Sequence, residues 1–304
     1  MKKIIITAAN GFIGRKLAEY FVNDYEVVAL VRGEVDQVEG VKYLIWNGKD
    51  LGDWQLEFEG AECVINLAGR SVDCRYNEEN KAQIYSSRLE STKVLGEAIE
   101  GCINPPKLWI NSASATIYRY SEDKPMTEKN GEIGSGFSVD VCQQWEKMFY
   151  SFGHPKLRQV ALRTTIVLGD GGGAMAPMVR LVKFGMGGKQ GKGNQMFSWI
   201  HAEDFCRAVA FIIENQEIEG PVNMAAPFPV TNKEFMQTLR RVYRAPFGLP
   251  VPRFLLEFGA RIIRTETELI LKSRFVIPEK LMEHGFIFHF PDAESAAQNI
   301  KSTN

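Results

Sequence analysis

The residues best equipped for chemistry lie at the ends of apolar runs. Ile4-Ile5-Ile6 leads into Thr7-Ala8-Ala9-Asn10-Gly11-Phe12-Ile13-Gly14, and a helical pattern through Leu17, Ala18, Phe21 and Val22 follows at once. A strand, a tight turn and a helix N-terminus in that order suit a dinucleotide pyrophosphate. Backbone N–H groups and the positive end of the helix dipole face the phosphates, and small residues allow close approach. Ala8 stands where the first glycine of the Gly-x-x-Gly-x-x-Gly fingerprint belongs. An alanine there calls for a turn with negative φ and room for a methyl group. Arg32 ends the second apolar run, where an acidic residue would bind the ribose hydroxyls of NAD. An arginine suits a 2′-phosphate, so NADP(H) is favoured over NAD(H).

Two further strand ends carry small and hydroxyl residues. Asn66-Leu67-Ala68-Gly69 fits a backbone passing beneath the dinucleotide. Asn111-Ser112-Ala113-Ser114-Ala115-Thr116-Ile117-Tyr118 brings hydroxyls beside the place of a nicotinamide, where Ser and Ala equally permit close packing. Lys189 and Lys192, within the glycine-rich stretch Gly185 to Gly193, could meet a substrate anion or lie on a solvated loop. His201 and Asp204 are weighed as substrate-side groups against packing and helix-capping roles.

The elements that must position these residues alternate between strand and helix. Apolar runs at Glu26 to Val31, Val41 to Trp46, Glu62 to Asn66, Lys107 to Ser112 and Gln159 to Thr164 read as buried strands. Helical patterns run through Ile84 to Ala98 and from Phe137 to Tyr150. This alternation predicts an α/β fold, a doubly wound parallel sheet with ligands at the carboxyl ends of its strands. Later helices are expected around Met178 to Val182, from Asp204 to Glu214, after the capping-box sequence Thr231-Asn232-Lys233-Glu234, and from Phe254 to Ile263. At 304 residues the chain can bury a sizeable core, and its net charge of −1 gives no reason to expect nucleic acid or an anionic membrane as partner. Five scattered cysteines without a C-x-x-C spacing argue against a disulfide framework or a zinc site and suit a reducing cytoplasm. No metal is expected.

Taken together, the motifs resemble the extended, epimerase/dehydratase type of the short-chain dehydrogenase/reductase superfamily. They are closest to its atypical subgroup of nucleoside-diphosphate-sugar epimerase or cell-division-inhibitor-like proteins. The resemblance rests on Asn66-Leu67-Ala68-Gly69, Ser86-Ser87-Arg88, Ser112-Ala113-Ser114-Ala115, Cys142-Gln143-Gln144-Trp145-Glu146, Leu162-Arg163-Thr164, Phe197-Ser198-Trp199-Ile200-His201 and Pro278-Glu279-Lys280-Leu281. It implies a Rossmann-like NADP(H)-binding domain over 1–244, with 170–200 and 221–244 contributing to the substrate side. A small C-terminal domain over 245–304 follows. By the same resemblance Ser114 matches the catalytic serine, and Arg88 falls where an asparagine often lies near the cofactor.

The family's Tyr-x-x-x-Lys pair is replaced here by Ser138 and Cys142. Serine is far too weak an acid for the tyrosine's task, and a buried cysteine is mostly a neutral thiol. Tyr118 is the expected substitute. The expected catalytic residues are therefore Ser114 and Tyr118. The expected cofactor contacts are Thr7, Ala9, Asn10, Gly11, Phe12, Ile13, Gly14, Arg32, Leu67, Ala68, Gly69, Arg88, Ser112 and Ala113. The sequence is read as an NADP(H)-dependent oxidoreductase or epimerase-like enzyme acting on a small polar or nucleotide-sugar-like substrate. The alternative is a non-catalytic NADP(H)-binding sensor or scaffold. A homodimer is a further expectation from the family.

Overall fold

The computed structural model describes residues 1–257 and 271–303. Seven parallel strands form the central sheet in the spatial order β10-β6-β5-β4-β1-β2-β3. They are β1 (Lys3–Thr7), β2 (Glu26–Val31), β3 (Lys42–Ile45), β4 (Cys63–Asn66), β5 (Leu108–Ser114), β6 (Arg158–Thr164) and β10 (Gly220–Met224). The order reverses between β1 and β4, and a ligand crevice opens at the carboxyl ends on either side of such a switch. This is the Rossmann-like α/β fold that the alternating pattern predicts.

Side chains alternate across β1 because successive strand residues face opposite sides. Ile4 and Ile6 pack with Leu17, Ala18 and Phe21 of α1 (Phe12–Phe21) and with Phe205, Val209 and Ile212 of α5 (Ala202–Glu214). Ile5 faces the other layer, where Val94, Leu95 and Ile99 of α2 (Glu78–Glu100) meet Trp109 of β5 and Phe149 of α3 (Phe137–Tyr150). Strand β10 pairs with β6 at the sheet edge. No sequence signal marked it as a strand, since it is short and carries Pro221, a residue tolerated at an edge.

Beyond β6 the chain builds a second layer over the strand ends. β7 (Ile166–Leu168) pairs with β9 (Trp199–His201), and β8 (Met196–Phe197) with β11 (Val230–Thr231). The capping box at Thr231 and Glu234 forms and opens α6 (Asn232–Val242). α4 (Met175–Lys183), α6 and the terminal helix α8 (Ala293–Ser302) share one core through Met178, Phe235, Leu239, Ala296 and Ile300. Packing thus joins the chain across the expected 244/245 division. The short helix α7 (Glu279–Glu283) lies against β10. The helix expected from Phe254 to Ile263 runs into residues 258–270, outside the described residues. Among the described residues no helix is long and apolar enough to cross a membrane.

Candidate functional site

The turn after β1 departs from expectation at Ala8. Its φ is +52°, in the left-handed region, not the negative value an alanine was expected to keep. The Leu30 carbonyl accepts from the Ala8 N–H at 3.0 Å, and the Ala8 carbonyl accepts from the Gly11 N–H at 2.9 Å. Together these bonds hold the strained turn. A Cβ at Gly14 would come within 2.4 Å of the Ala8 carbonyl oxygen, so only glycine lets α1 start this close to the turn. Gly11 is the N-cap of α1 and offers no side-chain acceptor. The first N–H groups of that helix are left to an incoming anion.

Beneath the turn a buried polar chain fixes the strand ends. Thr7 Oγ1 donates to Asn66 Oδ1 at 2.8 Å and accepts from the N–H groups of Leu67 and Ala68. Asn66 donates to Asn111 Oδ1 at 2.7 Å, and Trp145 Nε1 donates to Thr92 Oγ1 at 2.9 Å. The Thr7 side chain is therefore spent inside the protein, and it shapes the cavity floor without facing it.

Above this floor lies a cavity of about 450 Å³, lined by Asn10, Arg32, Ala68 and Gly69 among the expected contacts, and by Ala8 itself. Trp46, Asn47, Lys49 and Arg70, just beyond β3 and β4, and Glu90 of α2 also line it and carry no motif to mark them. Lys49 pairs with Glu90 at 3.1 Å. Arg70 donates through Nη2 to Asn80, while its buried Nη1 has no partner among the described residues. An orphaned guanidinium nitrogen, an uncapped helix start and the glycine at 14 together fit a phosphate-bearing dinucleotide. Ala9 and Gly14 are buried under the turn, and Phe12, Ile13, Leu67, Ser112 and Ala113 line neither this cavity nor the next.

A second, smaller pocket of about 100 Å³ adjoins the first where Arg88 packs over Gly69. It is lined by Ser114, Thr116, Ser138, Cys142, Arg88 and Tyr76, with Trp145, Phe137, Val72, Ile84 and Val141 as its apolar wall. Ser114 caps the 3-10 turn Ala115–Ile117, its oxygen accepting from the Thr116 N–H at 3.2 Å. That leaves the hydroxyl proton available to the pocket. Burial pushes the Cys142 thiol up to about 11, against the influence of Arg88, Lys272 and Arg274.

Arg274 also lines this pocket, and its Nη2 donates to Thr116 Oγ1 at 3.4 Å. It arrives on a segment that threads back over the sheet. The Arg274 N–H donates to Met196, the Met126 N–H to Phe275 and the Ile277 N–H to Met126. Lys272 Nζ donates to the Thr116 carbonyl at 3.0 Å. No local pattern in the sequence announces these two cations; only the long-range path places them.

Tyr118 is not brought to the pocket, which corrects the expectation that it supplies the acid. The 3-10 turn directs it inward, where it is 2% exposed. Its hydroxyl donates to Asn223 Oδ1 at 2.9 Å and accepts from Arg163 Nη1 at 3.0 Å. Burial raises its pKa, though Arg163 opposes the shift. Arg163 is itself held by Glu146, whose two oxygens accept at 2.8 and 2.7 Å. Tyr118 thus belongs to a buried structural network.

The remaining candidates are placed elsewhere. Lys189 and Lys192 are exposed and line neither cavity; their loop is ordered by Gln190, Gln195 and Asn232. His201 caps α5 through Nδ1, and Asp204 is fully buried, accepting from the N–H groups of His289 and Phe290 and from Arg207. Both residues hold structure together.

Comparisons with known proteins agree with this architecture. The sequence profile of the NAD dependent epimerase/dehydratase family matches residues 4–225, and that of a domain of unknown function, DUF1731, matches residues 251–300. The chain is 33% identical to epimerase family protein SH2119 of Staphylococcus haemolyticus, covering 99% of each. It is 31% identical to epimerase family protein YfhF of Bacillus subtilis, over 98% of this chain and 97% of that one. Among solved structures, human epimerase family protein SDR39U1 with NADPH superposes with a TM-score of 0.87 at 27% identity, covering 99% of this chain and 100% of that chain. MoeE5 in complex with UDP-glucuronic acid and NAD, at 18% identity and a TM-score of 0.77 over 99% and 98% of the chains, shares the fold. The glycine turn, the sheet order and these matches lead to one assignment: the chain belongs to the NAD-dependent epimerase/dehydratase family.

Proposed function

We propose that the protein is an NADP(H)-dependent oxidoreductase or epimerase-like enzyme of the atypical short-chain dehydrogenase class, acting on a small polar substrate without a Tyr-x-x-x-Lys pair. The observation that carries this reading is the meeting, at Gly69 and Arg88, of a cation-rimmed dinucleotide cavity and a hydroxyl-lined pocket. Arg32, Lys49 and Arg70 on the cavity wall suit the phosphates of NADP(H). The NADPH held by the human relative supports the same choice.

A bound nicotinamide would supply or accept the hydride. The chain's own residues do the rest. Ser114 donates a hydrogen bond to the reacting oxygen and so polarises the carbonyl. Tyr76, the phenol among the described residues that line the pocket, moves the proton to or from that oxygen. In reduction the proton would reach the carbonyl oxygen from Tyr76, and the hydride would come from the dinucleotide held by the neighbouring cavity. Trp145 and Phe137 exclude water from one side.

The first test is a binding titration with NADPH and NADH on wild type and Arg32→Asp. Wild type is expected to prefer NADPH, and the substitution to remove that preference with a roughly tenfold or greater loss of NADPH affinity. A wild type that prefers NADH, or a variant with unchanged preference, overturns the assignment of Arg32. Ser138 and Cys142 at the places of the usual pair favour a second reading, a cofactor-binding sensor without turnover. NADPH binding with no oxidation across a broad panel of carbonyl compounds would establish that reading instead.

A further inference from the structure

We propose that Arg88 makes the site selective for the reduced dinucleotide. Its fixed positive charge favours NADPH, whose nicotinamide ring is neutral, over NADP⁺, whose ring is a cation. This rests on the NADP(H)-binding reading above and adds which redox form the protein takes up and which it lets go.

Arg88 leaves α2 at the junction of the two cavities, and its contacts come from both sides. Its Nη1 donates to the carbonyls of Arg70 and Ile84, each at 3.1 Å. Arg70 lines the dinucleotide cavity, and Ile84 lines the pocket over Ser114. The guanidinium carbon lies 5.0 Å from the centre of the Trp145 ring on the pocket side. On the cavity side, a Cβ at Gly69 would lie 3.4 Å from the same carbon. A dinucleotide with its phosphates in the larger cavity therefore reaches Ser114 past this guanidinium.

Two carbonyls and an indole hold the side chain in place without neutralising it. A guanidinium keeps its proton throughout the pH range in which proteins stay folded. Among the described residues lining the pocket there is no carboxylate, and Glu146 of α3 spends both oxygens on Arg163. The two redox forms share their phosphates, riboses and adenine, so Arg32, Lys49 and Arg70 act on both alike. They differ by one unit of charge on the ring. Two like charges about 6 Å apart, at an effective dielectric constant of about 40, repel enough for about a tenfold difference in affinity. Such a bias suits carbonyl reduction, since the protein takes up the reduced cofactor and lets the oxidised one go. In the sensor reading it makes NADPH the form that is sensed.

The test is calorimetric titration of the full-length protein with NADPH and with NADP⁺. Wild type is expected to bind NADPH about tenfold more tightly than NADP⁺. Arg88→Met removes the charge and should bring the two affinities within about twofold of each other, whereas Arg88→Lys keeps the charge and should keep most of the preference. A purely structural Arg88 would weaken both forms together and leave their ratio alone. If Arg88→Met fails to fold, Arg88→Gln, which can still donate to a carbonyl, is read in its place. Equal binding of the two forms by wild type, or a ratio that survives loss of the charge, overturns the proposal while leaving the NADP(H) site standing. Failure of both forms to bind overturns the site and the proposal together.

Discussion

The dinucleotide cavity takes its walls from the carboxyl ends of β1 to β4 and one face of α2. The pocket over Ser114 shares α2 with it and draws otherwise on β5, α3, the stretch between β4 and α2 and a segment that returns from beyond residue 270. The first is set by hydrogen bonds within the sheet end, from Thr7 through Asn66 to Asn111. The second depends on anchors that lie behind its walls, chiefly the Glu146–Arg163–Tyr118–Asn223 network under α3. The difference teaches that the cofactor cradle and the reactive pocket are separable. One can be damaged while the other is spared.

The strongest challenge to that separation is Glu146→Ala. It leaves Arg163 buried without its carboxylate and should cost about 3–5 kcal/mol of stability in urea unfolding. NADPH affinity of the molecules that remain folded should stay near wild type. A parallel loss of affinity would show that the two cavities are one unit.

The two tyrosines sharpen the contrast next. Tyr76→Phe should act on turnover, lowering kcat about 100-fold on an accepted substrate. Tyr118→Phe should do the reverse, costing about 1–3 kcal/mol through the unsatisfied Asn223 and Arg163 while sparing kcat. Kinetics and urea unfolding on the same two proteins read both outcomes, and an exchange of the two patterns would restore Tyr118 as the acid.

A smaller effect probes the cradle alone. Ala8→Gly relieves the left-handed strain and should raise stability by up to about 1 kcal/mol, since the freedom glycine adds to the unfolded chain offsets part of the gain. A fall in stability would mean that the methyl group packs favourably there.

The smallest effect concerns neither cavity. Burial lowers the pKa of His201, so its folded value lies below the unfolded one near 6.5. Its neutral form is fully stabilising above that pH, and the contribution is lost as pH falls through the folded value. Between pH 7.5 and 5.5 the wild type should lose more in Tm than His201→Asn, whose side chain can still cap α5. Equal losses would show that His201 has no part in the acid sensitivity.

What could be read in the sequence follows the same division. The strand, turn and helix around Thr7 to Gly14 are contiguous, and so are α3 and the capping box at Thr231; local periodicity and motif suffice for them. The dihedral of Ala8 was misjudged because a motif gives residue types, whereas the two backbone bonds that hold the turn come from the fold. Tyr118 sits one turn beyond Ser114 in sequence, yet the 3-10 turn between them rotates its ring against Gly131 and away from the pocket. Tyr76, Lys272 and Arg274 carried no signal at all. Lys272 and Arg274 reach Thr116 from more than 150 positions along the chain and Tyr76 meets Phe137 on α3, and no local pattern encodes such contacts.

The returning segment also sets an order of events in synthesis. Every described residue on the wall of the dinucleotide cavity, from Ala8 to Ser91, leaves the ribosome well before Arg274. A growing chain can therefore complete its cofactor cradle while the neighbouring pocket still lacks one of its guanidinium groups.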